Sequence, residues 1–191
     1  MRQLILELLP ESPPSLDNFV AGGNAETLTA LTGWLAGVHA DTSFCLWGEA
    51  GCGRSHLLLA SGFPLVDAAT DPALLGAAEA EQLAVDNVDA LNEAGQIALF
   101  NHFNRLKMAG GMLLTAAPQP PAHLALREDL RTRLGSGLIY RLHPLSDAEK
   151  AAALAAQAKE RALKLAPESI DYLMRHAPRD MRTLSAVIVA L

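Results

Sequence analysis

The stretch GEAGCGRSH, Gly48 to His56, constrains the fold more than any other part of this chain. It follows the apolar run SFCLW (Ser43 to Trp47) and leads into HLLLAS (His56 to Ser61), so the order reads as buried strand, glycine loop, helix. Gly48, Gly51 and Gly53 permit backbone torsions that turn successive N–H groups inward around an anion. Ser55 would open the next helix with its hydroxyl placed for Mg²⁺. The spacing is that of a phosphate-binding loop with Arg54 where lysine is usual. A ligand-free turn between strand and helix is the plainer reading, and the strand before and helix after favour the phosphate site.

The rest of the chain repeats the alternation. Leu28, Leu31, Leu35 and Val38 recur at helical spacing from Ala25 to Val38 ahead of the first strand. After the loop helix come a strand in PLVDA, a helix in PALLGAAEA (Pro72 to Ala80) and a buried strand in QLAVD (Gln82 to Asp86). The long amphipathic helix AGQIALFNHFNRLKMAG and the strand GMLLTA follow. Strands alternating with helices predict an α/β fold, a parallel sheet covered on both faces.

Past RLHPLSDAEK the pattern turns wholly helical. Ser146 caps a helix, with Glu149 three residues on completing a capping box, and Ala-rich sequence carries it to about Lys164. Two further helices are expected in PESIDYLMRHA and RDMRTLSAVIVAL. PESPPS (Pro10 to Ser15) can continue neither a helix nor a central strand, and separates the apolar head LILELL, a tail or an added strand, from the body. The expected organisation is a tail and linker over 1–14, a core over 15–144 and a small all-α lid over 145–191.

Composition narrows the function. With 191 residues, half of them apolar, the chain can bury a sizeable core. No stretch approaches the roughly 20 apolar residues of a membrane span, and the start lacks the apolar run of a signal peptide, so a cytoplasmic protein without membrane contact is expected. Cys45 and Cys52 fit no metal spacing; they read as strand core and loop filler in a reduced compartment. Residues 1–100 carry two Lys/Arg against thirteen Asp/Glu, and residues 101–191 carry thirteen against eight. The acidic first half offers no basic stripe, so direct specific DNA binding is not expected. The later cations serve a nucleotide, an acidic partner or simply solvated helix faces.

A phosphate loop that holds a metal needs an acid at the end of a neighbouring buried strand. Asp86, in LAVDNVD, meets that description; a strand-end residue capping the next turn is the alternative. Next to it stands Asn87, whose amide cannot accept a proton from water as a carboxylate could. Asp89, slightly farther on, reads as a surface or helix-start residue.

LWGEAGCGRSHLL, AVDNVDAL, GMLLTA followed by PQPP, DLRTRLGSGLIYRLHPLSDAEK and RDMRTL together resemble the AAA+ module of the DnaA initiator family, over about Ser15 to Leu191. Arg54, the Asp-Asn pair and PLSD resemble the branch of that family whose members are DnaA-homologous regulators that inactivate the initiator. The resemblance implies an AAA+ P-loop fold in which Gly48, Gly51, Cys52, Gly53, Arg54, Ser55 and His56 contact ADP (or ATP), with Ser55 and Asp86 on the Mg²⁺ side. It also implies that Arg182 is a lid arginine reaching the nucleotide and that Arg133 is an arginine finger acting in trans. As an ordinary surface residue Arg133 would sit beside Glu128 and Asp129, and Arg182 would be a lid-helix cation.

The head Gln3-Leu4-Ile5-Leu6-Glu7-Leu8 is similar to the family's clamp-binding peptide, in which Gln3 supplies directed hydrogen bonds and Leu4, Leu6 and Leu8 enter an apolar cleft. The resemblance thus implies DnaA and the DNA polymerase III β sliding clamp as partners, and leaves homo-oligomerisation open. Three departures from the family pattern stand out. Ala116 and Ala117 replace an expected acidic sensor, unless Thr115 serves; the segment between the phosphate loop and Asp86 is short; and the sequence stops at Leu191, where the family's lid normally continues. The implied function is a clamp-associated regulator that binds ADP, has little or no ATPase of its own, and stimulates hydrolysis of DnaA-bound ATP to prevent re-initiation of replication. An ATP-hydrolysing loader or initiator-like motor acting on a helicase or nucleic acid is the alternative. A nucleotide-free scaffold is a third.

Overall fold

The computed structural model describes residues 13–73, 75, 80–161, 163, 165–177 and 181–190, and among these all side chains except those of Glu160, Pro167, Arg182 and Ala190. Pro14–Pro144 form one compact unit and the helices after Leu145 belong to another.

In the first unit, five parallel strands form one sheet: β1 (Ser43–Trp47), β2 (Leu65–Asp67), β3 (Gln82–Asp86), β4 (Met112–Ala117) and β5 (Leu138–Arg141), in the order β2-β3-β4-β1-β5. The helices are α1 (Ala25–Leu35), α2 (Arg54–Ala60), α3 (Glu93–Ala109) and α4 (Glu128–Leu134). Neighbouring strand residues point to opposite faces, and both faces are apolar. Leu113 and Ala117 of β4 join Leu83 and Val85 under Leu99, Phe103 and Leu106 of α3 and Leu130 and Leu134 of α4. Leu114 and Ala116 join Phe44 and Leu46 under Leu31 and Trp34 of α1 and Leu57 and Leu58 of α2. The expected parallel sheet with helical cover is therefore present, as is the helical lid.

Several details differ from the sequence expectation. Helix α1 stops at Leu35, short of Val38, which is 73% exposed. Gly37 takes a left-handed φ of 75° and donates to the Trp34 carbonyl, while the Val38 N–H reaches back to that of Gly33, so the chain turns out of the helix. The segment PALLGAAEA falls largely outside the described residues. Both α4 and β5 lie in a stretch that the periodicity left without an element. Strand β5 is only four residues long, and contacts with β1 define it: the Tyr140 ring stacks on Phe44 at 5.2 Å and the Arg141 guanidinium lies 5.0 Å from the Trp47 ring centre.

The chain leaves β5 along a fixed course. Asn24, buried just before α1, donates from Nδ2 to the His143 carbonyl (2.9 Å) and accepts the His143 N–H at Oδ1 (2.7 Å). One side chain thus satisfies both backbone groups of a residue 119 positions away.

In the second unit, α5 (Asp147–Glu160), α6 (Pro167–His176) and α7 (Met181–Ala190) pack around Leu154, Ala158, Ile170, Leu184 and Ile188. The capping box is formed: Ser146 Oγ accepts the Glu149 N–H (3.3 Å) and Glu149 Oε2 accepts the Ser146 N–H (2.8 Å). Helix α5 ends at Glu160 rather than near Lys164. No described helix is long and apolar enough to cross a membrane.

Replacing Asn24 with Ala leaves a buried backbone donor and acceptor unpaired. We expect Asn24→Ala to lower unfolding stability by about 1–3 kcal/mol, measured by urea denaturation of the full chain.

Candidate phosphate-binding site

The loop from Gly48 to Gly53 leaves the C-terminal end of β1, the edge at which open parallel sheets place ligands. The Gly48 N–H donates to the Ala117 carbonyl at the end of β4 (3.2 Å), so the loop starts in register with the sheet. A Cβ at Gly48 would collide with the Leu142 carbonyl oxygen, and Gly53, at φ 99°, has the Phe19 ring where its own Cβ would go. Neither position accepts a side chain without moving its neighbour.

Arg54 and Ser55 open α2. Arg54 Nη1 is buried and has no hydrogen-bond partner among the described residues. A buried guanidinium nitrogen without an acceptor suits an anion, and a phosphate would supply the missing oxygen. Ser55 Oγ donates to Asp86 Oδ2 at 2.5 Å, and Asp86 Oδ1 accepts the Asn87 N–H at 2.9 Å. Asp86 is 5% exposed. Strand β4 lies between β1 and β3, so the Ser55–Asp86 bond spans it. The residues therefore fit a phosphate with its metal ion: Arg54 and the loop for the phosphates, Ser55 and Asp86 for Mg²⁺.

Asn87 has a role that the sequence reading missed. It stands in the left-handed region, φ 52° and ψ 45°, and its Nδ2 donates to Asp67 Oδ1 at 2.9 Å. Asp67 ends β2 in register with Asp86, and its Oδ1 also accepts the Ala69 N–H. The shared ending of LVD and AVD on neighbouring strands was the available signal. The amide of Asn87 is thus engaged with β2. Asp89 is exposed, in the short turn Val88–Ala90.

Cys52 is buried in the loop, and burial pushes its thiol pKa up, with Arg54 pulling the other way. Cys45 lies inside β1, where burial raises its thiol to about 11. Both are free and buried, as strand core and loop filler should be. His56 donates from Nε2 to the Ser15 carbonyl (2.9 Å) and packs its ring 5.4 Å from that of Phe19. Ser15 and Phe19, which wall the loop, carried no motif and were missed. At the sensor position Ala116 and Ala117 are wholly buried, one in each core, and Thr115 is buried in β4 beside Cys45.

Arg133 sits in the last turn of α4, half-buried, its guanidinium carbon 6.0 Å from the Phe103 ring centre. Asp129 is engaged elsewhere: Arg127 grips it through Nε (3.2 Å) and Nη2 (2.9 Å), which holds its carboxyl below the usual range. Arg182 is on α7 with its side chain outside the described residues, and Gln3, Leu4, Leu6 and Leu8 also lie outside them.

Residues 147–191 match the family model described as the Hda lid domain. Over 95% of its length the chain superposes on a DNA replication initiation factor, covering 64% of that protein, at a TM-score of 0.75 and 23% identity. Domain III of the replication initiation protein DnaA from Thermotoga maritima matches over 95% of this chain and 88% of its own, with TM-score 0.73 and 20% identity. AMPPCP-bound DnaA from Aquifex aeolicus matches over 93% and 65%, with TM-score 0.73 and 23% identity. The chain thus spans just under two thirds of the longer initiator chains that it matches. At these identities the superpositions show the fold alone, a parallel sheet flanked by helices and followed by a helical unit. Over residues 147–191 the chain is thus similar to the Hda lid domain, and its fold is the one these replication initiators share.

Proposed function

We propose that this protein holds a nucleotide, with ADP as the ligand, and acts on DnaA rather than turning over ATP at its own site. One observation carries the reading: the position beside the metal-side acid Asp86 is Asn87, and its amide is bonded to Asp67. A hydrolytic site needs a group there that can orient and deprotonate water, and an amide engaged with a neighbouring strand end cannot accept the proton. Binding does not suffer in the same way. Arg54 keeps a permanent charge and a planar fork that can bridge phosphate oxygens, and its buried Nη1 has no other acceptor among the described residues. Mg²⁺, held by Ser55 and Asp86, would neutralise phosphate charge.

On this reading the chemistry takes place on the partner. Arg133, held over Phe103, presents a guanidinium to the γ-phosphate of ATP bound to DnaA, where it neutralises charge developing in the transition state. Residues 3–8 tether the protein to the β sliding clamp, Arg182 reaches the nucleotide from the lid, and ADP-bound initiator no longer fires. The protein works in the cytoplasm without direct specific contact to DNA. The motor alternative requires intrinsic turnover, and steady-state ATPase abolished by Asp86→Ala would favour it.

Three outcomes are expected. Mixed with clamp on DNA and ATP-loaded DnaA, the unmodified chain converts bound ATP to ADP, and Arg133→Ala loses roughly 10³-fold or more of that stimulation, measured from the retained nucleotide. Equal conversion by both would overturn the finger. By calorimetry, Arg54→Ala weakens ADP binding by about 1.5–3 kcal/mol, the contribution of a charge-assisted hydrogen bond. Alanine at Gln3, Leu4 and Leu6 together removes binding to immobilised clamp while ADP affinity stays unchanged.

A further inference from the structure

We infer that Gln96 is a positioning residue that ties the helix bearing Arg133 to the chain's own phosphate site; the inference rests on the finger reading above. A series of hydrogen bonds, joined by short stretches of backbone, makes the connection within one compact unit. Ser55 Oγ and the Asn87 N–H fill the two oxygens of Asp86. The Ala90 N–H donates to the Asn87 carbonyl (2.9 Å) and the Leu91 N–H to that of Val88 (3.3 Å), forming the tight turn between β3 and α3. Gln96, in the first turn of α3, donates from Nε2 to the Leu91 carbonyl (2.8 Å), and its Oε1 accepts the Arg127 N–H (2.8 Å). Arg127 stands immediately before α4, at its N-cap position.

A helix as short as α4, seven residues, has too few internal hydrogen bonds to hold itself in place. Its direction is set by what grips it. Leu130 and Leu134 pack into the core, and apolar contact by itself tolerates sliding along the helix axis. The polar grips from another element sit at the start: Gln96 on the Arg127 backbone, and the more distant Glu93 (4.0 Å) on the Arg127 side chain. Arg133 is six residues beyond Arg127, about 9 Å along a helix at 1.5 Å per residue, so a small tilt at the cap displaces the guanidinium. A displacement on the order of 1 Å at a transition-state contact can cost up to about 100-fold in rate. Gln96 therefore acts on the chemistry through Arg133 and touches no reacting atom.

The test uses the full chain in the assay with ATP-loaded DnaA and clamp on DNA. Gln96→Met removes both bonds at similar volume, and Gln96→Glu keeps an acceptor for the Arg127 N–H while losing the donor to Leu91. We expect Gln96→Met to lower the maximal rate of ATP loss roughly tenfold, with an unchanged half-saturating concentration of DnaA and unchanged ADP affinity. Gln96→Glu should restore most of the rate, and adding Gln96→Met to Arg133→Ala should cause no further loss. An unaltered rate in Gln96→Met, a loss confined to half-saturation, or Gln96→Glu as slow as Gln96→Met would each overturn the assignment. If Arg133→Ala itself keeps the full rate, the finger reading fails instead, and this inference with it. Hydrogen exchange in the unmodified chain gives a reading that needs no substitution: the Arg127 amide should be protected, and exchange at the free-amide rate would exclude the tether.

Discussion

The hydrogen bond from Ser55 to Asp86 is the contact around which the candidate site is arranged. It joins the helix that follows β1 to the end of β3, with β4 between them, so it ties together parts of the sheet that do not pair. A buried carboxylate must have its oxygens satisfied, and here one is filled by that hydroxyl and the other by the Asn87 N–H. The strand between ends in Ala116 and Ala117, both buried, so no larger side chain crowds the span. The Ala117 carbonyl receives the Gly48 N–H, which anchors the loop at its other end.

Arg54 and Asn87 acquire a joint meaning in this frame. An arginine with a buried donor that no described residue fills is suited to grip phosphate oxygens, and an asparagine bonded to Asp67 is unsuited to activate water. Under the proposed function these are two sides of one specialisation: a site that retains its nucleotide while an arginine elsewhere on the same unit serves a partner. The proposed tether through Gln96 gives that arrangement a material connection. The turn that begins at Asp86 also supplies the Leu91 carbonyl, which Gln96 engages while it holds the Arg127 N–H at its other end.

Much of this was legible in the sequence because the determining interactions are local. The strand-loop-helix order around GEAGCGRSH, the strand QLAVD with its terminal acid, and the capping box of Ser146 and Glu149 all depend on residues within a few positions of one another, and each is present. What escaped depends on distant partners. Strand β5 has four residues and no strong alternation in chemistry; β1 makes it a strand by pairing with it and stacking Phe44 on Tyr140. Asp67, inside the expected strand PLVDA, gained a meaning only when parallel register set it beside Asp86. Val38 matched helical spacing, yet Gly37 had already turned the chain away.

By itself the sequence determined the α/β class, the strand-loop-helix order with Arg54 in it, the buried strand ending in Asp86 and the helical lid, because backbone propensity, apolar period and motif spacing are properties of neighbouring residues. Only the tertiary structure decided where Asn87 directs its amide, how Asn24 holds the chain leaving β5, and that Gln96 accepts the Arg127 N–H. Each of those facts is a pairing of polar groups brought together from separate elements. Hydrogen-bond partners are chosen by distance and direction in three dimensions, and no periodicity along the chain encodes them.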